Sequence, residues 1–439
     1  MAHTPPAPGS TRIVITGMGA ITNLGQTAPA TWEAMREGRS GISAIEGEEF
    51  GAPERWDVRF GGQVKGWDPA KVIEHREARR LDRFTQLGLA AAIEAVAHSG
   101  IDFSKEDPER CGVVVGSGIG GIRTIEDGTA TLLNKGPDRV GPFTVPRLMA
   151  NAAAGNISIR FGLQGFASTH ATACASSGHA IGDAMHAMRR GEADVMVVGG
   201  AEAAVSPICV AAFSAMKALS TRNDAPTKAS RPFDADRDGF VLSEGAAMMV
   251  LETLDHARAR GATIFAELVG YANSCDASHI TAPDPEGSGA ARAMRWALRD
   301  AGLNPGQIDY INAHGTSTPL GDKAEVQAVL SLFGDHARKS AGGRLLMSST
   351  KSMHGHCLGA SGAVEMIACV HAVRDGVIAA TINLDTPAAG RDPSTKGLLA
   401  SFDVDLVPNH TRERATRYAM NNTFGFGGHN VSLIVARFE

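Results

Sequence analysis

The segment ATACASS, Ala171–Ser177, places Cys174 just before a predicted helix. From residue 180 the apolar residues recur on one face of a 3.6-residue period, and this pattern ends at Gly191. A thiol at a helix N-terminus meets the positive end of the dipole and unpaired backbone N–H groups, which favour a thiolate and can bind a developing oxyanion. Free cysteines are also among the most buried residues and are usually inert. The segment alone leaves both interpretations open, a nucleophile or a core thiol.

Outward from this segment, short apolar runs ending in glycine alternate with helical patterns. Strands are predicted at 12–16, 112–115, 195–198 and 246–251, then at 266–271, 309–313, 345–349, 377–384 and within 417–437, with a helix at 290–301. This alternation indicates an α/β protein whose parallel or mixed sheet is covered on both faces. We predict a duplicated architecture with halves 11–265 and 266–439, after a disordered lead-in at 1–10.

Composition and charge restrict the class of protein. The 439 residues include 51 Gly and are 43% hydrophobic but only 5% aromatic, which suits an α/β protein. The formal net charge of −5 argues against a general nucleic-acid partner. The six cysteines contain no CxxC pair, which favours reduced thiols in a cytoplasmic protein. No signal peptide or membrane span is predicted, because the first apolar run covers only residues 13–15.

Three motifs resemble binding sites of other classes. Residues 116–121, GSGIGG, match GxGxxG, but no following strand ends in a ribose-binding acid, so we expect a Gly-rich turn facing a cavity. Residues 234–239, DADRDG, imitate a calcium loop whose twelfth position would fall on Gly245, so a polar turn is expected. Residues 354–357, HGHC, lack the spacing of zinc ligands. None of the three motifs therefore indicates a dinucleotide, calcium or zinc site.

Two later segments change the interpretation of Cys174. Residues 312–322, NAHGTSTPLGD, predict a strand that ends in His314 and a hydroxyl-rich turn. Residues 349–356, STKSMHGH, end in His356. Two histidines at strand-to-loop ends, combined with a candidate thiolate, are the pattern of a nucleophile and its electrostatic partners.

Together these segments closely resemble β-ketoacyl-acyl carrier protein synthases of the decarboxylating, Cys-His-His type, in the thiolase superfamily. The chain is most similar to the synthase II group of bacterial fatty acid synthesis, and the resemblance runs from about residue 12 to the C-terminus. His356 distinguishes it from initiating synthases, which have Asn there, and from thiolases, which use a second Cys. The motifs that carry the resemblance are TACASS, NAHGTSTPLGD, KSMHGH, RPFD at 231–234, RDGFV at 237–241 and NNTFGFGGHN at 421–430.

The resemblance implies a thiolase-like fold of two similar α/β halves in five layers, α-β-α-β-α, usually as a homodimer. It implies a decarboxylative Claisen condensation in fatty acid elongation, in which Cys174 accepts an acyl group from acyl carrier protein. The backbone N–H groups of Cys174 and Phe426 would form the oxyanion hole. His314 and His356 would hold malonyl carrier protein and the enolate that remains after loss of CO2. The product would be 3-oxoacyl carrier protein, two carbons longer. The resemblance implies no cofactor and no required metal for this reaction.

The resemblance also assigns supporting roles. Thr316 and Thr318 match hydroxyls that meet the pantetheine arm, and Phe424 matches a gate on a Gly-rich loop. Ile119 and Phe213 match the lining of the acyl pocket, where they would limit chain length.

A buried ion pair of Lys351 and Glu365 is expected behind the histidines. Some family members hold a monovalent cation, and the matching positions are Asn312, Glu365, Asn421 and Asn422.

The expected partners are acyl carrier protein, acyl and malonyl thioesters and a second copy of the chain, with no nucleic acid or membrane. An acidic carrier protein needs local positive charge for docking. A solvated helical face is the alternative interpretation of the same residues. The proposed docking positions are Arg76, Arg79, Arg80, Arg83, Arg139 and Lys217.

The chain departs from the synthase II pattern at His354 and His429, where Thr is common, and Cys357 follows the KSMHGH motif. One alternative is therefore a ketosynthase of a polyketide or specialised fatty-acid pathway. Another is a non-catalytic chain-length partner of the same fold. Such partners lack the nucleophile, so Cys174 together with both histidines argues against that class.

Overall fold

Apolar strands and helices alternate through residues 11–439, the part of the chain that this computed structural model describes. The predicted lead-in at 1–10 lies outside the described residues. The strands are β1 Ile13–Thr22, β2 Ser43–Ala44, β3 Phe60–Gly61, β4 Cys111–Gly116, β5 Ala167–His170, β6 Val195–Glu202, β7 Gly245–Thr253, β8 Ala266–Cys275, β9 Tyr310–Asn312, β10 Leu346–Ser348, β11 Val377–Ile378, β12 Arg412–Glu413, β13 Tyr418–Gly425 and β14 His429–Ala436. The helices are α1 Ala28–Arg36, α2 His75–Ala78, α3 Arg83–Ser99, α4 Ile122–Lys135, α5 Thr144–Leu148, α6 Ala152–Phe161, α7 Ser176–Arg189, α8 Pro207–Ala215, α9 Leu254–Ala259, α10 Ser288–Asp300, α11 Pro319–Phe333, α12 Lys351–His354 and α13 Ser361–Asp375.

Ten of the described strands form one mixed sheet in the order β10-β9-β13-β14-β8-β1-β7-β6-β4-β5. Strand β4 pairs in parallel with β5 and β6, and β9 pairs in parallel with β10 and β13. The two halves meet where β1 runs antiparallel to β8, a short ladder that joins residues 13–15 to 266–268. The predicted mixed α/β sheet is confirmed.

The apolar side chains divide into layers according to the face of the sheet on which they lie. On β4, Val113 and Val115 pack with α3 and α6, whereas Val114 points to the opposite face, because successive side chains of a strand alternate. That opposite core contains α7 and α13 and receives residues from both halves of the sheet. A third core lies against α10 and α11. The β10–β8 part and the β1–β5 part of the sheet therefore form two separate layers on either side of the central helices. The order is helices, sheet, central helices, sheet, helices, as expected for a thiolase-like fold.

The glycines that follow the first and third apolar runs do not end their strands, contrary to our prediction. Strand β1 continues through Gly17 and Gly19 to Thr22. A Cβ on Gly17 would lie 2.3 Å from the Ala95 carbonyl oxygen, and one on Gly19 would lie 2.1 Å from that of Ala91. These glycines allow α3 to pack against the strand. Strand β6 likewise continues through its two glycines to Glu202.

The predicted strand at 377–384 was largely wrong, since only Val377–Ile378 is a strand. The following residues turn away, because the Thr381 hydroxyl donates to the Leu406 carbonyl at 2.9 Å and Asn383 has φ of 63°. No helix among residues 11–439 is both long and apolar enough to cross a membrane.

Candidate active site

Cys174 lies in a single 3-10 turn, Ala173–Ala175, that leads directly into α7. The Ser176 hydroxyl stabilises this turn, because it accepts from the Thr172 N–H at 2.9 Å and donates to the Ala173 carbonyl at 2.6 Å. The predicted helix is confirmed, and its apolar face is buried in the central layer. The thiol is 8% exposed. The nucleophile candidate therefore sits at a helix start, in an apolar cluster separate from the central core.

The Gly-rich loop after β13 packs directly against this turn. A Cβ on Gly425 would lie 2.6 Å from the Thr172 carbonyl oxygen and 3.1 Å from the Cys174 nitrogen, so only glycine fits there. The backbone N–H groups of Phe426 and Cys174 both lower the pKa of the thiol by hydrogen bonding. Two backbone donors thus converge on Sγ, close to where the oxygen of a carbonyl bonded to Sγ would lie.

His356 lies beside the thiol, with Nε2 3.0 Å from Cys174 Sγ. Its other ring nitrogen, Nδ1, lies 2.9 Å from the hydroxyl of Ser361, the first residue of α13. When that hydroxyl donates to Nδ1, the ring proton resides on Nε2 and faces the thiol. In that tautomer, His356 can donate a hydrogen bond into the site.

His314 follows β9, and its ring centroid lies 5.4 Å from that of His356. The backbone N–H groups of His314 and Gly315 donate to the buried carboxyl of Glu325 at 2.9 and 2.8 Å. Burial lowers the pKa of both His314 and His356 well below the usual range, and the charge of Lys351 lowers both further. Both imidazoles are therefore neutral at physiological pH.

Lys351 begins α12 and forms a fully buried ion pair with Glu365 of α13. Three buried oxygens in this neighbourhood have no hydrogen-bond partner among residues 11–439: Asn312 Oδ1, Glu365 Oε2 and Asn421 Oδ1. Asn422 differs, because its Oδ1 accepts from the Ser432 hydroxyl at 2.8 Å. Unpartnered buried oxygens are costly unless a cation or water satisfies them.

The resting state of Cys174 differs from our prediction of a thiolate. Burial raises the pKa of the thiol to about 12, although the charge of Lys351 and the two backbone N–H groups lower it. Desolvation outweighs the single helix terminus, because Cys174 is almost completely buried. Cys174 is therefore a protonated thiol in the described state.

One cavity of about 200 Å³ joins these groups. Cys174, His314 and His356 line it, and so do all six of the residues predicted to bind substrate or to surround the reacting atoms: Ile119, Phe213, Thr316, Thr318, Phe424 and Phe426. The Thr316 and Thr318 hydroxyls lie 3.0 Å apart. The Phe424 ring centroid lies 5.6 Å from that of His314. The predicted Gly-rich turn at 116–121 also faces this cavity through Gly118.

The predicted docking arginines do not share one environment. Arg83 is half-buried and makes two hydrogen bonds, at 2.6 and 2.9 Å, to the buried carboxylate of Glu244. Arg80 is exposed and lies over the Phe143 ring at 5.0 Å. The exposed, more freely available positions are Arg76, Arg79, Arg139 and Lys217.

The remaining motifs are structural elements. In the DADRDG turn, Asp234 pairs with Arg231, and Arg237 binds carbonyls of the turn after His314, including that of Thr318 at 3.1 Å. His354 is fully buried, and its Nε2 lies 3.2 Å from the Thr350 hydroxyl. The polar turn is thus confirmed, and it supports the loop that carries Thr316 and Thr318.

Sequence reasoning missed the carboxyls of Glu202 and Glu325 and the hydroxyl of Ser361. Each contacts a backbone or side-chain group of the site from a neighbouring element. None of the three belongs to a predicted motif, although Glu202 follows shortly after the apolar run at 195–198. Glu202 lies 84 residues from Gly118 in sequence, whereas Ser361 lies only five from His356, so these roles depend on how neighbouring elements pack and not on one motif.

Comparison with known proteins agrees with this geometry. The family model described as the beta-ketoacyl synthase N-terminal domain matches residues 10–257, and the C-terminal domain model matches residues 265–385. A 3-oxoacyl-[acyl-carrier-protein] synthase 2 of Vibrio cholerae is 48% identical over 427 residues, 97% of this chain and 99% of that protein.

Two solved structures share the fold over nearly the whole chain. A beta-ketoacyl synthase from Burkholderia phymatum has a TM-score of 0.86 at 36% identity, covering 98% of this chain and 100% of that one. A type II polyketide ketosynthase, solved with its acyl-carrier protein and bound to a hexaketide, has a TM-score of 0.86 at 30% identity with the same coverage. The chain therefore belongs to the β-ketoacyl synthase family.

Proposed function

We propose that this protein is an acyltransferase that condenses an acyl group on Cys174 with malonyl-acyl carrier protein, giving 3-oxoacyl-acyl carrier protein and CO2 in fatty acid elongation. The observation that carries the proposal is the 3.0 Å contact between Cys174 Sγ and His356 Nε2, in the cavity that His314 also lines. The 48% identity to a 3-oxoacyl-[acyl-carrier-protein] synthase 2 supports the same reaction.

In the first half-reaction, Cys174 Sγ attacks the thioester carbonyl of acyl carrier protein. The oxyanion that develops is held by the N–H groups of Cys174 and Phe426. The bond to the carrier sulfur breaks, and the carrier thiol leaves with the proton that Sγ gives up. Because burial raises the pKa of the thiol, the N–H donors and the Lys351 charge are needed to stabilise the attacking thiolate.

In the second half-reaction, neutral His314 and His356 donate hydrogen bonds to the malonyl thioester oxygen. The bond to the carboxylate breaks, CO2 leaves, and its electron pair becomes an enolate that the same two donors stabilise. The enolate carbon attacks the acyl-Cys174 carbonyl, and the Cys174 sulfur leaves as a thiolate that takes a proton from solvent. The buried charge of Lys351 supports this role, since it lowers the pKa of both rings and keeps them neutral.

A monovalent cation fits the buried oxygens behind the histidines. Asn312, Glu365 and Asn421 each offer one unpartnered oxygen, the donor type that hard cations prefer. Asn422 fits less well, because Ser432 already occupies its side-chain oxygen. A bound cation would satisfy Glu365 Oε2, the oxygen that the ion pair with Lys351 leaves without a partner.

The surrounding residues have proposed roles in substrate access. Ile119 and Phe213 limit the acyl chain, and Thr316 and Thr318 meet the pantetheine arm. Phe424, which packs beside His314, acts as the gate. The proposed docking residues for the acidic carrier protein are Arg76, Arg79, Arg80, Arg139 and Lys217, with Arg83 contributing mainly by holding Glu244.

Further proposals concern assembly and organisation. Residues 11–265 and 266–439 form the two duplicated halves, the first supplying Cys174 and the second both histidines. A homodimer is favoured by the open edge of β5 and by exposed apolar residues of α4 and α6, namely Leu132, Leu133 and Ile159. The six unpaired cysteines fit a cytoplasmic enzyme.

The test uses acyl carrier substrates of graded chain length. Incubation with each should give a single acyl adduct at Cys174 by mass spectrometry, and addition of malonyl carrier protein should release the 3-oxoacyl product. Cys174→Ala should fold, form no adduct and fail to condense. Full condensation by Cys174→Ala would refute the proposed nucleophile.

The second candidate is a ketosynthase of a polyketide or specialised fatty-acid pathway. The fold similarity to the hexaketide-bound ketosynthase favours it, although that protein is 30% identical whereas the Vibrio cholerae synthase is 48% identical. The same substrate panel separates the two: turnover of saturated chains of many lengths supports elongation, and turnover confined to one polyketide or branched chain supports the specialised pathway.

A further inference from the structure

Glu202 is a buried carboxyl beside the active-site cavity that the catalytic scheme does not use. It ends β6, is fully buried, and within residues 11–439 makes no salt bridge to a lysine or arginine. Burial raises its pKa to about 7, although backbone N–H donors lower it. A buried carboxyl without a cation is costly, so its hydrogen bonds are the feature to explain.

Four donors surround the carboxyl. Oε1 accepts from the Ser117 hydroxyl at 3.0 Å and from the Ile119 N–H at 3.2 Å. Oε2 accepts from the Gly118 N–H at 2.6 Å and from the Gly359 N–H at 3.0 Å. Each oxygen therefore serves two donors, which suits an ionised carboxylate.

These donors belong to two turns from opposite halves of the chain. The first turn carries Ile119, which lines the cavity, and the second follows His356 and includes Leu358, which lines it too. The turns touch so closely that a Cβ on Gly359 would lie 2.3 Å from the Gly118 nitrogen. The Glu202 carboxylate is the acceptor that both turns share.

We propose that Glu202 is a positioning residue that holds the Ile119 wall of the acyl pocket against the turn after His356, and thereby sets the preference for acyl-chain length. This inference rests on the proposed function. Its physical basis is the four-donor arrangement: an amide in place of the carboxylate would turn an NH2 group toward two donors and push one turn away. Since a pocket wall discriminates chains by buried area, a displaced Ile119 changes the relative rates of long and short chains.

The test compares acylation of Cys174 by a short and a long acyl carrier substrate at pH 8, where the Glu202 carboxyl is ionised. The measured quantity is the ratio of kcat/KM for the long chain to that for the short chain. Glu202→Gln should change this ratio by about tenfold, because it disrupts a hydrogen-bonded wall of the pocket. Ser117→Ala removes one of the four donors and should change the ratio in the same direction by a smaller factor.

Glu252→Gln is the matched control, because Glu252 is an equally buried glutamate that binds Arg260 and His256 far from the cavity. It should lower thermal stability without changing the ratio. Equal loss for both chain lengths in Glu202→Gln, or an unchanged ratio in Ser117→Ala, would overturn the inference. If Glu202→Gln fails to fold, Ser117→Ala decides. A wild-type protein that acylates Cys174 with neither substrate would refute the proposed function itself, whereas an active wild type with unchanged ratios refutes only the role of Glu202.

Discussion

Histidines lie beside opposite charges at two places in this protein: carboxylates contact His256, whereas the Lys351 cation acts on His314 and His356. At the start of α9, His256 contacts two carboxylates, with Nδ1 2.6 Å from Glu252 and Nε2 2.9 Å from Glu106. These contacts raise the pKa of His256 to about 9. At the candidate active site, His314 and His356 have no carboxylate partner within residues 11–439, and burial together with Lys351 lowers their pKa well below the usual range.

The comparison separates two uses of the same side chain. The charged His256 belongs to a clamp, in which Glu252 also binds Arg260 at 2.5 Å and thereby ties α9 to β7. The neutral pair can donate hydrogen bonds to an enolate without holding a carboxylate of its own. The sign of the nearest formal charge decides whether a buried histidine is protonated or neutral.

The largest effect is expected from removing Lys351, the cation that, after burial, contributes most to the lowered pKa of His314 and His356. Lys351→Met leaves Glu365 buried without its partner and should lower the free energy of unfolding by about 3–5 kcal/mol, measured by urea denaturation. Lys351→Met combined with Glu365→Gln should recover most of that loss. In the double variant the pKa of both histidines rises, so the acid limb of kcat should move to higher pH. An unchanged limb would contradict the electrostatic role of Lys351.

Removing one neutral donor should affect the rate but not the fold. His356→Ala should lower kcat for condensation by about 10²–10³, the typical loss for one donor of an oxyanion-type site. The melting temperature should stay close to that of wild type. His256→Ala is the reciprocal control, expected to lower the melting temperature and to leave kcat per folded molecule unchanged. Normal decarboxylation of malonyl carrier protein by His356→Ala would exclude this residue from enolate stabilisation.

The charged histidine should make stability depend on pH. Because its folded pKa of about 9 lies above the unfolded value, its contribution is complete below about pH 6.5 and is lost as pH rises through 9. His256→Gln should therefore cost on the order of 2 kcal/mol at pH 6 and much less at pH 10. Unfolding titrations of both proteins across this range provide the measurement. An equal difference at both pH values would mean that packing, not charge, explains the cost.

The smallest effect is expected at the outer partner of the clamp. Glu106→Gln removes one of the two carboxylates beside His256 and should cost only about 0.5–1 kcal/mol, because the pair is partly exposed. The pKa of His256, followed by NMR titration, should fall but remain above the ordinary value, since Glu252 is still in contact. A fall to the ordinary value would assign the whole shift to Glu106.

Much of the fold and the site could be predicted from local patterns. The helix after Cys174 and the alternation of strands and helices follow from apolar periodicity, and the motifs around His314 and His356 identify the catalytic candidates. Strand ends were predicted less well, because Gly17 and Gly19 do not end β1. They lie inside the strand, where a side chain would clash with the backbone of α3. Arg83 could not be distinguished from a docking residue, since its partner Glu244 is distant in sequence.

The amino-acid sequence by itself determined the family and the α/β class, and it singled out the candidate nucleophile and its two candidate histidines, because these depend on residue types at short spacings. Only the tertiary structure decided their charge. Cys174 is a buried thiol, the two histidines are neutral, and Glu202 joins two distant turns, although no local pattern indicates any of these states. The physical reason is that desolvation and Coulomb interactions depend on distances in space, and the segments that set them come from both halves of the chain.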